Sequence, residues 1–199
     1  MKEIKVLDCT LRDGGYYNNW DFTPELIHDY LEAMSAVQID FVEIGFRSLI
    51  NECFKGGCAY STEAYLNTLS IPLELRNKIG VMVNGSDLIE KKSDPSHGQK
   101  QTSYQKTVLK KLFGPKDESL ISLVRIACHV HEFEACLPAA TWLKEQGYLI
   151  GFNLMQVAGR SQAEISQLAK KASACPIDTL YFADSMGSLD PEQTTQIIQ

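Results

Sequence analysis

Arg12 and Asp13 stand side by side in the run Leu7-Asp8-Cys9-Thr10-Leu11-Arg12-Asp13-Gly14-Gly15, which follows the first apolar stretch of the chain. Opposite charges followed by two glycines make poor core. They suit a binding site at the carboxyl end of a strand, the edge where parallel α/β folds hold their ligands. Glycines let the backbone turn tightly there and leave room for a substrate. The plain alternative is a neighbouring ion pair on a surface loop. Aromatic and amide side chains follow at once in Tyr16-Tyr17-Asn18-Asn19-Trp20. A phenol such as Tyr16 or Tyr17 can donate a hydrogen bond, but with an ordinary pKa of about 10 it is a weak base at neutral pH. Trp20 and Phe22 read as packing residues. His129-Val130-His131 follows an apolar run, with His129 the better placed of the two to face a cavity and a helix-start or solvated histidine the plainer reading.

The elements that would hold these residues repeat through the chain. Apolar runs at Ile4–Cys9, Phe41–Ile44, Ile79–Val83, Leu120–Ala127, Tyr148–Leu154 and Thr179–Ala183 have the length and composition of strands buried on both faces. Helices are signalled between them. Thr23-Pro24-Glu25 offers a cap and a proline, with Leu26, Tyr30, Met34 and Val37 at helical spacing. Ser61 or Thr62 opens a short helix to Asn67, and His131–Gln146 ends at Gly147. Ser161 and Glu164 fit a capping box ahead of Ile165, Leu168 and Ala172, and Asp190-Pro191 starts the last helix. Polar Asn84 to Tyr104 lacks an apolar period and is expected to be a long mobile excursion, a lid or oligomer contact. Six strand–helix units make an α/β fold, against the about 250 residues of a full eight-unit barrel. Length leaves an open sheet and a shortened barrel both possible.

Composition narrows the function. The 199 residues carry a net charge of −6, and the lysine pairs are isolated, which argues against nucleic acid or an anionic membrane as main partner. The charged start of the chain is unlike a signal peptide and no apolar run spans a bilayer, so the cytoplasm is the expected location. Six scattered cysteines without C-x-x-C pairing are expected to be free thiols, not a zinc site. Phosphate-loop, dinucleotide and nucleophile-elbow motifs are absent.

Three segments in order resemble the pyruvate-type metallolyase superfamily of hydroxymethylglutaryl-CoA lyase, isopropylmalate synthase and 4-hydroxy-2-oxovalerate aldolase. They are Asp8-Cys9-Thr10-Leu11-Arg12-Asp13-Gly14, Phe41-Val42-Glu43-Ile44-Gly45, and Tyr181-Phe182-Ala183-Asp184-Ser185-Met186-Gly187 with Pro191. The resemblance implies a TIM-type (β/α) barrel, present here as about six units in a single domain over residues 1–199, its carboxyl-terminal units lacking. It implies a divalent-metal-dependent aldolase-type lyase that makes or breaks a carbon–carbon bond beside a pyruvate enolate, on 4-hydroxy-2-oxo acids. Asp13 would then give Mn²⁺ or Mg²⁺ one hard oxygen ligand. Arg12 would hold the enolate oxygen with a charge it cannot lose. Glu43 would orient Arg12 or a water, and Asp184 and Ser185 would line the cavity near the substrate carboxylate. For Glu43 a structural salt bridge, and for Asp184 a turn cap, are the plain alternatives.

Two departures stand out. The superfamily's His-x-His metal pair on a seventh strand has no counterpart here, since His129 and His131 follow the fourth. The aldolase branch's histidine base after Arg-Asp-Gly is replaced by Tyr16 and Tyr17. A Claisen-type acyl-CoA enzyme and a non-catalytic barrel without its metal site are the competing readings. Unpaired outer strand edges lead us to expect self-association into a homo-oligomer.

Overall fold

The computed structural model describes residues 4–51, 53–90, 98–184 and 186–198. In chain order the elements are β1 (Leu7–Asp8), α1 (Thr10–Gly14), α2 (Pro24–Ala36), β2 (Phe41–Phe46), α3 (Glu63–Leu66), β3 (Ile79–Asn84) and α4 (Gly98–Leu112). They continue with β4 (Ile121–His129), α5 (Phe133–Glu145), β5 (Leu149–Met155), α6 (Gln162–Ser173), β6 (Thr179–Ala183) and α7 (Pro191–Ile198). All six strands pair in parallel, in the order of the sequence. The sheet curls: Leu7 and Cys9 at its first edge line the same cavity as Thr179 and Tyr181 at its last. The result is an open, curled TIM-type barrel of six strands. The outer edges of β1 and β6 have no strand partner among the described residues.

Apolar side chains on alternate positions of the strands pack outward against the helices. Val42 and Ile44, Val81 and Val83, and Val124 and Ile126 are all fully buried there. The opposite parity faces the barrel interior and carries Glu43, Arg125, Asn153 and Tyr181. Strand ends agree with expectation to within two residues except in β1, where Ile4–Cys9 contracts to Leu7–Asp8. Its amide neighbour at Val6 is bound by the Asp40 carboxylate instead (2.8 Å), and Cys9 already turns into α1.

The helix caps follow the sequence. Thr23 accepts from the Leu26 amide, Ser161 and Glu164 form both halves of a capping box, and Asp190 accepts from the Gln193 amide. The buried stripe of α2 is rotated by one position from the expected one. Ile27 and Leu31 fill the core, Tyr30 and Met34 flank them, and Leu26 and Val37 face out. The helix expected from His131 starts at Phe133, because Val130 to Glu132 form a turn closed by the Glu132 carboxylate on the His129 amide (2.9 Å).

The largest correction concerns the excursion from Asn84 to Tyr104. Residues 91–97 lie outside the description, but Gly85–Leu88 form a 3-10 turn and the remainder opens α4, fifteen residues long. Its core contact is a narrow stripe, Gln105, Val108 and Leu109, with the Gln105 amide donating to the Ala135 carbonyl (2.5 Å). All six cysteines are free. Among the described residues no helix is long and apolar enough to cross a membrane.

Candidate active site

α1 is pinned by Leu11, which is buried, and by the Asp13 amide donating to the Cys9 carbonyl (2.8 Å). That single turn throws Arg12 inward and Asp13 toward solvent. The Arg12 Nε donates to Glu43 Oε2 at 2.7 Å, while its Nη1 pairs with the neighbouring Asp13 carboxylate. Burial alone would lower the Arg12 pKa. Glu43 and Asp13 outweigh it and hold the guanidinium above its ordinary range. Asp13 keeps 62% of its side chain exposed.

Glu43 is fully buried in β2. Its Oε2 also accepts from Arg125 Nη1 in β4 at 2.9 Å, so one carboxylate oxygen bridges two arginines across the barrel. Its Oε1 is buried with no partner among the described residues. Arg125 reaches further, to Asn153 Oδ1 (3.1 Å) and the Cys9 sulfur (3.4 Å), and its guanidinium lies 4.3 Å from the centre of the Tyr181 ring. Burial and then the charge of Glu43 push the Cys9 thiol up to about 11.

A cavity of about 530 Å³ opens above this network at the carboxyl ends of the strands, with Arg12, Asp13, Tyr16, Asn84, Asn153 and Asp184 in its wall. Tyr16 is largely exposed and stacks edge-on against Trp20 (ring centres 4.8 Å apart). Trp20, expected to pack, does so: its indole Nε1 donates to the Arg12 carbonyl at 2.9 Å. Two left-handed residues, Asn19 (φ 57°) and Trp20 (φ 56°), turn the chain back to place it. Gly15 must be bare, since a Cβ there would stand 1.9 Å from the indole.

Asp184 shares the cavity wall but spends its carboxylate on the following turn, accepting from the Ser188 (3.0 Å) and Leu189 (2.8 Å) amides. Those bonds hold its pKa below the ordinary value. Ser185 lies outside the described residues. His129 ends β4 with the same parity as Arg125 and Ala127, and its ring stacks on His131 (5.6 Å). It is not among the residues lining the cavity with Arg12. The structure thus brings Arg12, Asp13, Tyr16 and Asp184 to one cavity, with Glu43 bonded behind Arg12, and leaves His129 out of its lining. Sequence reasoning passed over Arg125 and Asn153. The signal for Arg125 was there: a lone cation in the middle of an apolar strand requires a buried partner, and Glu43 is the one acid placed likewise.

Asp8 secures the approach to α1. Burial pushes its carboxyl up, but hydrogen bonds from the Tyr30 hydroxyl and from the Thr10 amide and hydroxyl outweigh this and hold it below the ordinary value. With the folded pKa below the unfolded one, ionised Asp8 adds stability at neutral pH, lost as pH falls through the folded value. Tyr30→Phe is expected to cost about 1 kcal/mol at pH 7. In urea denaturation across pH, its gap from the unaltered protein should shrink from about pH 4 downward.

No family model matches the chain. It is 26% identical to a 4-hydroxy-2-oxovalerate aldolase of Pelotomaculum thermopropionicum, with all of this chain and 53% of that one covered. It is 28% identical to the enzyme of the same name from Carboxydothermus hydrogenoformans, covering 96% and 51%. An oxaloacetate decarboxylase of Mycobacterium tuberculosis is 22% identical, covering 100% and 53%. The crystal structure of the N-terminal domain of a candidate aldolase from Bacteroides vulgatus superposes with a TM-score of 0.74 at 27% identity, over 98% of this chain and 59% of that one. The chain is similar, at the level of the superfamily, to the pyruvate-type aldolases. It spans about half the length of the curated relatives it matches. The three motif segments fall on β1–α1, β2 and the end of β6.

The donor set bears on a metal. Asp13 offers one exposed, hard carboxylate at the cavity wall. Among the described residues no three His, Cys, Asp or Glu side chains gather closely enough to hold an ion together. The described residues therefore fit one coordination position, not a complete metal site.

Proposed function

We propose that this chain carries the enolate-forming part of a metal-assisted carbon–carbon lyase site acting on 4-hydroxy-2-oxo acids, with a pyruvate enolate as one product. The observation that carries the reading is Arg12: its guanidinium is anchored from behind by a fully buried carboxylate and lines a strand-end cavity beside an exposed acid. A cation fixed in this way is already oriented where negative charge develops on a 2-oxo oxygen, so little reorganisation is needed as the bond breaks. Mn²⁺ or Mg²⁺ held through Asp13 would supply Lewis-acid polarisation of that oxygen.

The chain's own groups divide the remaining work. Arg12 holds and neutralises the enolate oxygen. Glu43 Oε2 fixes the guanidinium plane from behind. The Tyr16 hydroxyl, at the cavity wall, hydrogen-bonds the acceptor oxygen and passes it a proton when the bond forms. The decarboxylase relative supports a second use of the same site: loss of carbon dioxide from oxaloacetate leaves the same enolate.

Electron paramagnetic resonance of Mn²⁺ tests the site without turnover. Pyruvate is expected to tighten Mn²⁺ binding, and Asp13→Asn to abolish the tightened state. Weak binding indifferent to both pyruvate and the substitution would reject the reading.

A further inference from the structure

A second cavity, about 200 Å³, adjoins the first and shares three of its walls, Tyr16, Phe46 and Asn84. Its remaining surface includes Trp20, Lys55 and Asp87. The aromatic side is rigidly built. Phe46 and Tyr16 both meet the Trp20 ring edge-on, at 5.5 Å and 4.8 Å between centres. The loop bearing Lys55 is locked onto this wall: the Gly56 amide donates to the Asn19 carbonyl (2.8 Å), and a Cβ on Gly56 would stand 2.0 Å from the Trp20 carbonyl oxygen. The Lys55 ammonium is thereby held 5.5 Å from the centre of the indole ring. Lys55 forms no ion pair with a described carboxylate. Asp87, in the same lining, accepts from the Ser48 hydroxyl (3.1 Å).

Resting on the aldolase reading above, we propose that this side cavity takes the distal end of the acceptor aldehyde and selects an acceptor ending in an anionic group. The shared wall at Tyr16 lets one molecule place its aldehyde carbon in the main cavity and its chain across the ring faces. A half-buried cation whose partner among the described residues is a ring gains from an incoming anion, since a charge-assisted hydrogen bond exceeds a cation–π contact. An aldehyde with an apolar chain of a few carbons and a terminal carboxylate matches this arrangement.

Succinic semialdehyde and butyraldehyde have the same chain length and differ in that terminal charge. Their binding to the full chain can be followed by Trp20 fluorescence in a Trp142→Phe background. Trp142 lies outside both cavities and is the other tryptophan of the sequence. Succinic semialdehyde is expected to bind about tenfold more tightly. Lys55→Met should bring the ratio close to one, and Lys55→Arg should keep most of it. Equal affinities in the unaltered protein, or a preference that survives Lys55→Met, would overturn the inference. Preferential binding of succinic semialdehyde without any pyruvate-dependent turnover would leave the pocket standing and reject the aldolase reading. Turnover with no charge preference would do the reverse.

Discussion

Glu43→Ala is expected to destabilise the protein by about 3–5 kcal/mol, the cost of stripping a buried charge of its partner. The reason lies in the sharing of one oxygen. Oε2 accepts from Arg12 at 2.7 Å and from Arg125 at 2.9 Å inside the barrel. Alanine leaves two guanidinium groups facing each other, with Asn153, Cys9, Asp13 and the Tyr181 and Phe46 rings for compensation among the described residues. Glu43→Gln keeps the volume and one acceptor and should lose less. Urea denaturation at pH 7 measures both. A loss below about 1 kcal/mol for alanine would mean that water reaches the arginines readily and that the network is not closed. Pairing Glu43→Ala with Arg125→Met should cost less than the sum of the two, because each change removes the other's unpaired charge.

Arg12→Ala is expected to lower turnover by about 10²–10³-fold, the usual effect of removing a preorganised donor from a developing oxyanion. The loss should fall on kcat more than on KM, since the guanidinium is matched to charge that appears only as the enolate forms. Arg12→Lys should recover a small part. A lysine ammonium lacks the planar fork that lets one side chain meet Glu43 with Nε and the cavity with its outer nitrogens. The folding cost of Arg12→Ala should stay below that of Glu43→Ala, since Glu43 retains Arg125. Steady-state kinetics with pyruvate and an aldehyde, alongside urea denaturation, separate the two effects. Equal proportional losses in activity and in folded fraction would mean that Arg12 is structural only.

Much of the fold was legible because parallel strands buried on both faces write themselves as short apolar runs. Thr179–Ala183 matches β6 residue for residue, and the capping box at Ser161 and Glu164 marks the start of α6. What escaped depended on neighbours distant in sequence. The first part of α4, 98–104, falls within the polar excursion expected from Asn84 to Tyr104, because its buried stripe begins only at Gln105, itself a polar residue satisfied by a carbonyl of α5 that no local pattern announces. β1 is short because Asp40 takes over the amide of Val6. In the site, the Arg-Asp-Gly segment named Arg12 and Asp13, and the structure places both at the cavity. The linkage of Glu43 to Arg125 requires the register of three strands, which the sequence does not state. Asp184 illustrates the opposite case. Its motif allows a substrate contact or a turn cap; the residue lines the cavity, and the amides of Ser188 and Leu189, four and five residues on, claim its oxygens.

The central claim is that Arg12 faces a 2-oxo acid as its enolate forms, and proton exchange at the pyruvate methyl group measures that step without an acceptor. Incubated with pyruvate and Mn²⁺ or Mg²⁺ in deuterium oxide, the protein is expected to speed deuterium incorporation, followed by proton magnetic resonance, well above the metal-only rate. Arg12→Ala should remove about 10²–10³-fold of that acceleration. An exchange rate equal to the metal-only rate, or one that Arg12→Ala leaves unchanged, would contradict the claim.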